Sequence, residues 1–393
     1  MAPPVRSLYV HAPFCARRCV YCDFAVHVDA RPDPAFWVDA LGREWEAVRT
    51  EGLFPVDRLD TLYVGGGTPS LLGVEGMQGV ARVFADVERA PDLEWTVEAN
   101  PESFDRAVAE GWRRLGVDRL SFGVQTFSPA ALRWMGRLHG PEGPAAALHA
   151  ARDAGFDNLS VDLIFALPAR VERDWSADLE RALALEPDHV SLYGLGVEAR
   201  TPLGRAVAEG REDPVDETRY QEEFLEAAER LREAGFEHYE VSNFARPGRR
   251  SRHNQVYWDG RPYLGLGNGA HSHQPPLRRW NLRDWLEYRE RVRSGAVPVE
   301  EAETVAPAEA RLERIWLTLR TREGIAAPVR PGPARDIMDG WMRRGLAEAA
   351  GDRVRLTPTG WLLLDELAVE LDRALDRDPA PAAEPRDGST DVG

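Results

Sequence analysis

Cys15, Cys19 and Cys22 are the only cysteines in this 393-residue chain, and they fall within eight consecutive residues. That rules out a disulfide framework, which scatters an even number of cysteines along a secreted chain. Clustered free thiols in a reducing compartment point instead to metal or redox work. The run Cys15-Ala16-Arg17-Arg18-Cys19-Val20-Tyr21-Cys22 has C-x3-C-x2-C spacing. Three thiolates on one short loop can bind three irons of a cubane, since thiolates are the usual ligands of such iron. The fourth iron then has no protein ligand and is free to take a substrate. A structural zinc ion needs four protein ligands, and His11 or His27 would have to supply the fourth; that alternative stays open.

The remaining composition narrows the partners. The net charge is −16 and every fixed cation is Arg. An acidic balance of this size argues against a nucleic-acid binder, which needs a basic footprint for phosphates. Local Arg groups, Arg249, Arg250 and Arg252 or Arg278 and Arg279, could still hold an anionic ligand. The sequence has no apolar run long enough for a membrane span and its N-terminus lacks the pattern of a secretory signal, so the expected location is the cytoplasm.

Apolar strand-like runs alternate with amphipathic helical ones. The strands are Leu8–His11, Leu59–Val64, Leu93–Glu98, Arg119–Val124, Leu159–Phe165 and Val190–Leu195, with Phe236–Val241 further on. Candidate helices include Pro34–Val48, Asp105–Leu115, Glu172–Leu185 and Glu217–Ala234. Repeated βαβ units imply a parallel sheet, and six of them before residue 200 favour an α/β barrel or partial barrel. Residues 1–245 are expected to form this core. Residues 246–305 read as a loop-rich segment with a linking helix, 306–375 as a small, mostly helical domain, and 376–393 as a disordered tail.

Unusual residues recur where the strands end, the face on which β/α barrels hold ligands. Cys15 follows the first strand and Gly65-Gly66-Gly67-Thr68-Pro69 the second; Glu98 ends the third and Gln125 the fourth. Asp162 is a charge within an apolar strand, costly to bury without a partner, and Gly194 and Gly196 lie at the end of the sixth strand. The glycines permit close backbone approach, Arg137 offers a planar fork for a carboxylate, and Gln125 both donates and accepts.

The cysteine run, with Tyr21 before its last member and with Tyr9-Val10-His11-Ala12-Pro13-Phe14 ahead of it, resembles the radical SAM signature, and the GGGTP stretch resembles a second motif of that family. Within the family the sequence resembles the branch of oxygen-independent coproporphyrinogen III oxidase and its related heme chaperones. The resemblance covers about residues 7–375. It implies a partial (β/α)6 TIM-like radical SAM barrel with a small, mostly helical C-terminal domain. It also implies a [4Fe-4S] cluster on Cys15, Cys19 and Cys22, and S-adenosyl-L-methionine contacts from Tyr9, Tyr21, Phe24, Gly66, Gly67, Thr68, Glu98, Gln125, Arg137, Asp162 and Gly196.

Further along, Arg252-His253-Asn254-Gln255-Val256-Tyr257-Trp258 forms an HNxxYW pattern, followed by Tyr263 and the stretch Gly265–Ser272. An imidazole with aromatic and Arg neighbours is a setting for a porphyrin, and the pattern resembles the heme-chaperone branch, which implies heme binding by His253, with His271 and His273 left open as alternatives. In the oxidase a further Cys stands two residues after the third cluster Cys, where this chain has Phe24. The resemblance therefore implies a heme chaperone that delivers heme to a respiratory protein, at the membrane surface or elsewhere, with an electron donor such as flavodoxin or ferredoxin and no nucleic-acid partner. The alternative it leaves is an active coproporphyrinogen III oxidase.

Overall fold

Six apolar runs alternating with amphipathic helices imply a parallel sheet whose crossover helices, all of one hand, cover it. The computed structural model describes residues 3–377 and has such a sheet. In chain order the core runs β1 (Val5–Ala12), α1 (Pro34–Glu51), β2 (Val56–Gly66), α2 (Gly73–Val83), β3 (Glu88–Ala99), α3 (Arg106–Leu115), β4 (Arg119–Gln125), α4 (Pro129–Met135), α5 (Gly143–Asp153), β5 (Leu159–Phe165), α6 (Trp175–Ala184) and β6 (His189–Gly194). After α7 (Pro202–Ala208) and α8 (Glu217–Glu233) come β7 (Glu237–Glu240), β8 (Asn243–Ala245), α9 (Arg252–Trp258) and β9 (Leu264–Leu266).

The sheet order is β9-β1-β2-β3-β4-β5-β6-β8-β7. Strands β9 and β1 to β6 are parallel, while β8 runs antiparallel to both β6 and β7. This is the expected six-unit β/α core, with its sheet open at the edges β9 and β7. Burial along β4 and β5 is continuous except at Gln125 and Asp162, the two positions singled out from sequence. Helix starts are set locally. Asp33 accepts from the Ala35 amide at α1, Asp105 from Val108 at α3, and Asp216 from Thr218 and Arg219 at α8, each satisfying amides that a helix leaves unpaired. Gly52 and Gly116 close α1 and α3 in the left-handed conformation.

The chain divides into two compact units between Ala306 and Pro307. Residues 246–305 belong to the first: Leu264–Leu266 pairs with β1 at the sheet edge. An antiparallel trio follows, β10 (His271–Gln274), β11 (Leu277–Asn281) and β12 (Val299–Thr304), with α10 (Trp285–Arg293) between β11 and β12. The second unit packs α11 (Pro307–Leu319), α12 (Pro333–Arg343) and α14 (Leu364–Leu375) about Leu319, Met338, Trp341, Leu367 and Leu371, beside a short three-stranded sheet and the turn α13 (Pro358–Trp361). The expected tail lies, from residue 378, outside the described residues. Among the described residues no helix is long and apolar enough to cross a membrane.

Candidate functional site

The parallel strands carry their C-terminal ends to one side, and a cavity of about 730 Å³ opens there. It is lined by Tyr9, Cys15, Cys19, Tyr21, Cys22, Phe24, Gly66, Gly67, Thr68, Glu98, Gln125, Arg137, Asp162 and Gly196, so the structure brings together all but one of the residues read from sequence. The exception is His253.

The cysteine loop leaves β1 and is tied down along its length. Asp29 N donates to the Cys15 carbonyl, Val20 N to Met135, and Leu203 N to the Val20 carbonyl. His11 stands beneath it. Its Nε2 donates to the Ala25 carbonyl at 3.1 Å, which leaves Nδ1 to accept from the Tyr9 hydroxyl at 2.9 Å. Burial pushes the His11 imidazole down to about 4, so it stays neutral.

A chain of hydrogen bonds runs across the strand ends to the thiols. Arg137 Nη2 donates to Asn100 Oδ1 at 2.7 Å and to the Gly123 carbonyl at 2.6 Å. Asn100 Nδ2 donates to Thr68 Oγ1 at 3.1 Å, and Thr68 in turn donates to Cys15 Sγ at 3.6 Å. Arg137 Nη1 reaches Cys19 Sγ at 3.9 Å. Burial raises the Cys15 thiol to about 11 and pushes Cys22 up as well, so the sulfurs release protons when they ligate.

The other cavity carboxylates are held as firmly. Glu98 accepts from the Tyr63 hydroxyl at 2.7 Å and from Gly66 N at 2.9 Å, and burial raises it to about 7. Glu98 therefore pins the glycine turn from below. Asp162, also raised by burial, accepts from Ser121 at 3.1 Å. Gln125 adopts φ +67°, a conformation uncommon outside glycine. A Cβ on Gly66 would lie 2.3 Å from the His11 ring, and one on Gly67 2.7 Å from the Phe14 carbonyl. The turn thus packs directly under the loop, while a Cβ on Gly196 would meet only Glu198 Oε1, at 4.0 Å.

The donor set fits an iron–sulfur cluster and its ligand. Three free thiols, a guanidinium beside one of them and a cavity against all three are present together. A single tetrahedral zinc would need sulfurs about 3.8 Å apart. Among the described residues no three His, Cys, Asp or Glu side chains gather as one ion requires, whereas a cubane spreads its thiolates, one to each iron.

His253, which the resemblance implies as a heme contact, lies buried in α9 and is not among the residues that line the cavity. Its Nδ1 meets Thr61 Oγ1 at 2.8 Å and its Nε2 meets the Tyr257 hydroxyl at 2.8 Å. Its ring lies 5.1 Å from that of Tyr63, and burial beside Arg119 drives it down to about 3. Both nitrogens are committed. Tyr257, four residues on, does line the cavity, as does His271, an alternative heme ligand in the sequence, and so do Asn100, Tyr193, Tyr263 and Arg283, which were given no site role from sequence. Asn100 carried a signal: it is a polar residue two places after Glu98 at a strand end.

The model of the Radical SAM superfamily matches residues 9–182. The Heme chaperone HemW of Mycobacterium tuberculosis (strain ATCC 25618 / H37Rv) is 37% identical over 367 residues, covering 91% of this chain and 93% of that protein. The Heme chaperone HemW of Bacillus subtilis (strain 168) is 31% identical over 377 residues, covering 92% and 98%. Among solved structures, coproporphyrinogen III oxidase (HemN) from Escherichia coli superposes with a TM-score of 0.76 at 22% identity, covering 94% of this chain and 90% of that one. At that identity the likeness speaks for the fold alone.

Proposed function

Because this chain belongs to the HemW family of radical SAM proteins, we propose that it binds a [4Fe-4S] cluster, S-adenosyl-L-methionine and heme, and passes the heme to a respiratory protein. The observation that carries the reading is the meeting of three free thiols and the strand-end residues around one cavity. Cys15, Cys19 and Cys22 would hold the cluster, one iron each, and the remaining iron would be available to the nucleotide. Bound together, the cluster and S-adenosyl-L-methionine supply electron-transfer and radical chemistry.

The chain's own residues position and screen. Arg137 offers its guanidinium to Cys19 and, through Asn100 and Thr68, orients a donor on Cys15; charge-assisted donors of this kind stabilise thiolate. The Gly66-Gly67-Thr68 turn, Glu98, Gln125, Asp162 and Gly196 border the nucleotide, with Tyr9, Tyr21 and Phe24 as apolar walls. Arg17, Arg18 and Arg283 in the lining suit the carboxylates of a porphyrin. The electron donor is a small redox protein such as a flavodoxin or ferredoxin. The working compartment is the reducing cytoplasm, where free thiols persist.

Anaerobic reconstitution with iron and sulfide tests this. Wild type is expected to gain four irons and the cluster's visible absorbance, to respond spectroscopically to S-adenosyl-L-methionine and to bind hemin. Cys19→Ala should lose the absorbance, because two thiolates hold a cubane poorly. Incubation with coproporphyrinogen III and S-adenosyl-L-methionine should give no protoporphyrinogen; its appearance would overturn the chaperone reading in favour of an oxidase. A single zinc indifferent to the nucleotide would overturn both.

A further inference from the structure

Asn100 stands just past the end of β3, and its place is fixed by the backbone. Its amide N donates to Ser70 Oγ at 3.1 Å, and its carbonyl accepts from Ser103 N at 3.1 Å. A Cβ on Gly123 in β4 would lie 2.9 Å from Asn100 Oδ1, so the neighbouring strand is bare where the side-chain amide sits.

We propose that Asn100 is a positioning residue for the cluster, one that turns the Thr68 hydroxyl onto Cys15 and so makes the cluster easier to reduce. The inference rests on the cluster-binding reading above and adds the residue that tunes that site.

The direction of each bond follows from donor chemistry. A guanidinium only donates, so Arg137 Nη2, at 2.7 Å, meets the side-chain oxygen of Asn100. That sets which way the amide faces, and it leaves Nδ2 aimed at Thr68 Oγ1, at 3.1 Å. An amide nitrogen only donates as well. The Thr68 oxygen therefore accepts, and its own proton goes to Cys15 Sγ at 3.6 Å. Thr68 is buried, so bulk water does not compete for that proton. Turned over, the amide would set donor against donor at Arg137 and would draw the Thr68 proton to its own oxygen, away from the sulfur. Arg137 is itself anchored, by the Gly123 carbonyl at 2.6 Å and His139 Nε2 at 3.3 Å.

Hydrogen bonds to the ligating sulfurs help to set the potential of an iron–sulfur cluster. A donor on a thiolate spreads its negative charge, and reduction adds one more negative charge, so the donor favours the reduced form. One electron enters from an external one-electron donor, and no covalent bond is made or broken.

Titration of the anaerobically reconstituted protein with dithionite, read by electron paramagnetic resonance of the reduced cluster, tests the assignment. In Asn100→Leu the ratio of reduced to oxidised cluster at a fixed potential should fall about tenfold, which is about 59 mV for a one-electron couple. Asn100→Asp, of the same size, should fall at least as far, because a carboxylate accepts the Thr68 proton. Thr68→Val should match Asn100→Leu, and the double variant should fall no further than either single one. Thr68→Ser should keep the donor and with it the potential. Each variant is compared at four irons per chain and wild-type far-UV circular dichroism; should Asn100→Leu not fold, Asn100→Asp and Thr68→Val decide. A wild-type potential in the Asn100 variants overturns the assignment. So does a double variant whose fall is the sum of the two single ones, since Asn100 would then act by a route other than Thr68. Failure of the wild type to gain a cluster instead overturns the cluster reading, so the two failures are distinct.

Discussion

Asn268 donates its side-chain amide to the carbonyl of Ala25 at 2.9 Å, across a separation of 243 residues. The same carbonyl receives His11, and the second proton of the Asn268 amide goes to the Arg283 carbonyl, also at 2.9 Å. Ala25 lies three residues past Cys22, so the end of the cysteine loop is fastened by a side chain from the segment that also carries β9.

Asn268→Ala should therefore loosen the loop without touching a thiol. Leaving buried carbonyls short of a donor costs about 1–3 kcal/mol. The expected result is a reconstituted cluster that bleaches severalfold faster under chelator, with Asn268→Asp no better because a carboxylate cannot donate. Bleaching kinetics equal to wild type would show that the fastening is idle.

Gly66→Ala should be harsher. Gly66 sits at φ +110° and its missing Cβ would fall 2.3 Å from the His11 ring. Backbone strain of this kind costs about 1–3 kcal/mol, and the displaced imidazole would give up its bond to Ala25. We expect a lower melting temperature and loss of the spectral response to S-adenosyl-L-methionine; a variant with both intact would contradict the packing described here.

Glu44 gives the fold a pH dependence. It is buried and accepts from Gly267 N, the Tyr288 hydroxyl and Asn281 Nδ2, yet burial raises it from 4.5 to about 7. Between those values the folded chain holds a proton that the unfolded chain has lost, so this contribution is full below pH 4.5 and is lost as pH rises through 7. The loss is on the order of 3 kcal/mol. Urea midpoints of the metal-free protein should fall from pH 5 to pH 8 by more in wild type than in Glu44→Gln; equal falls would remove Glu44 as the cause.

Under β5, Glu223 accepts from Ala166 N and Arg219 and pairs with Arg173, whose side chain is fully buried and also donates to the Ile164 carbonyl. Removing one member leaves a buried charge alone, which costs about 3–5 kcal/mol. Glu223→Ala should lower the denaturation midpoint of the first unit accordingly. A shift below about 1 kcal/mol would mean that water replaces the carboxylate.

The core strands were legible because parallel strands buried on both faces leave long apolar runs, and Gln125 and Asp162 stood out as breaks in them. The helix starts read at Pro34, Asp105 and Glu217 fall within one residue of the observed ones. His253 has partners that its sequence surroundings do not show. Its neighbours in sequence, Arg252, Tyr257 and Trp258, resemble a porphyrin's surroundings, but the helical turn places the Tyr257 hydroxyl on its ring, and Thr61, 192 residues away, takes the other nitrogen. Glu44 and Asn268 gave no local sign, since each acts on a backbone group more than two hundred positions distant. The strand β9 was equally hidden: three residues between glycine-rich turns have too little pattern to be read.

The pairing of Leu264–Leu266 with the first strand has a temporal consequence. A chain growing at about 5–20 residues per second emerges with its three thiols tens of seconds before residues 264–268 exist to cover the sheet edge and grip Ala25. The grip on the end of the cysteine loop is thus completed late in the synthesis of its unit.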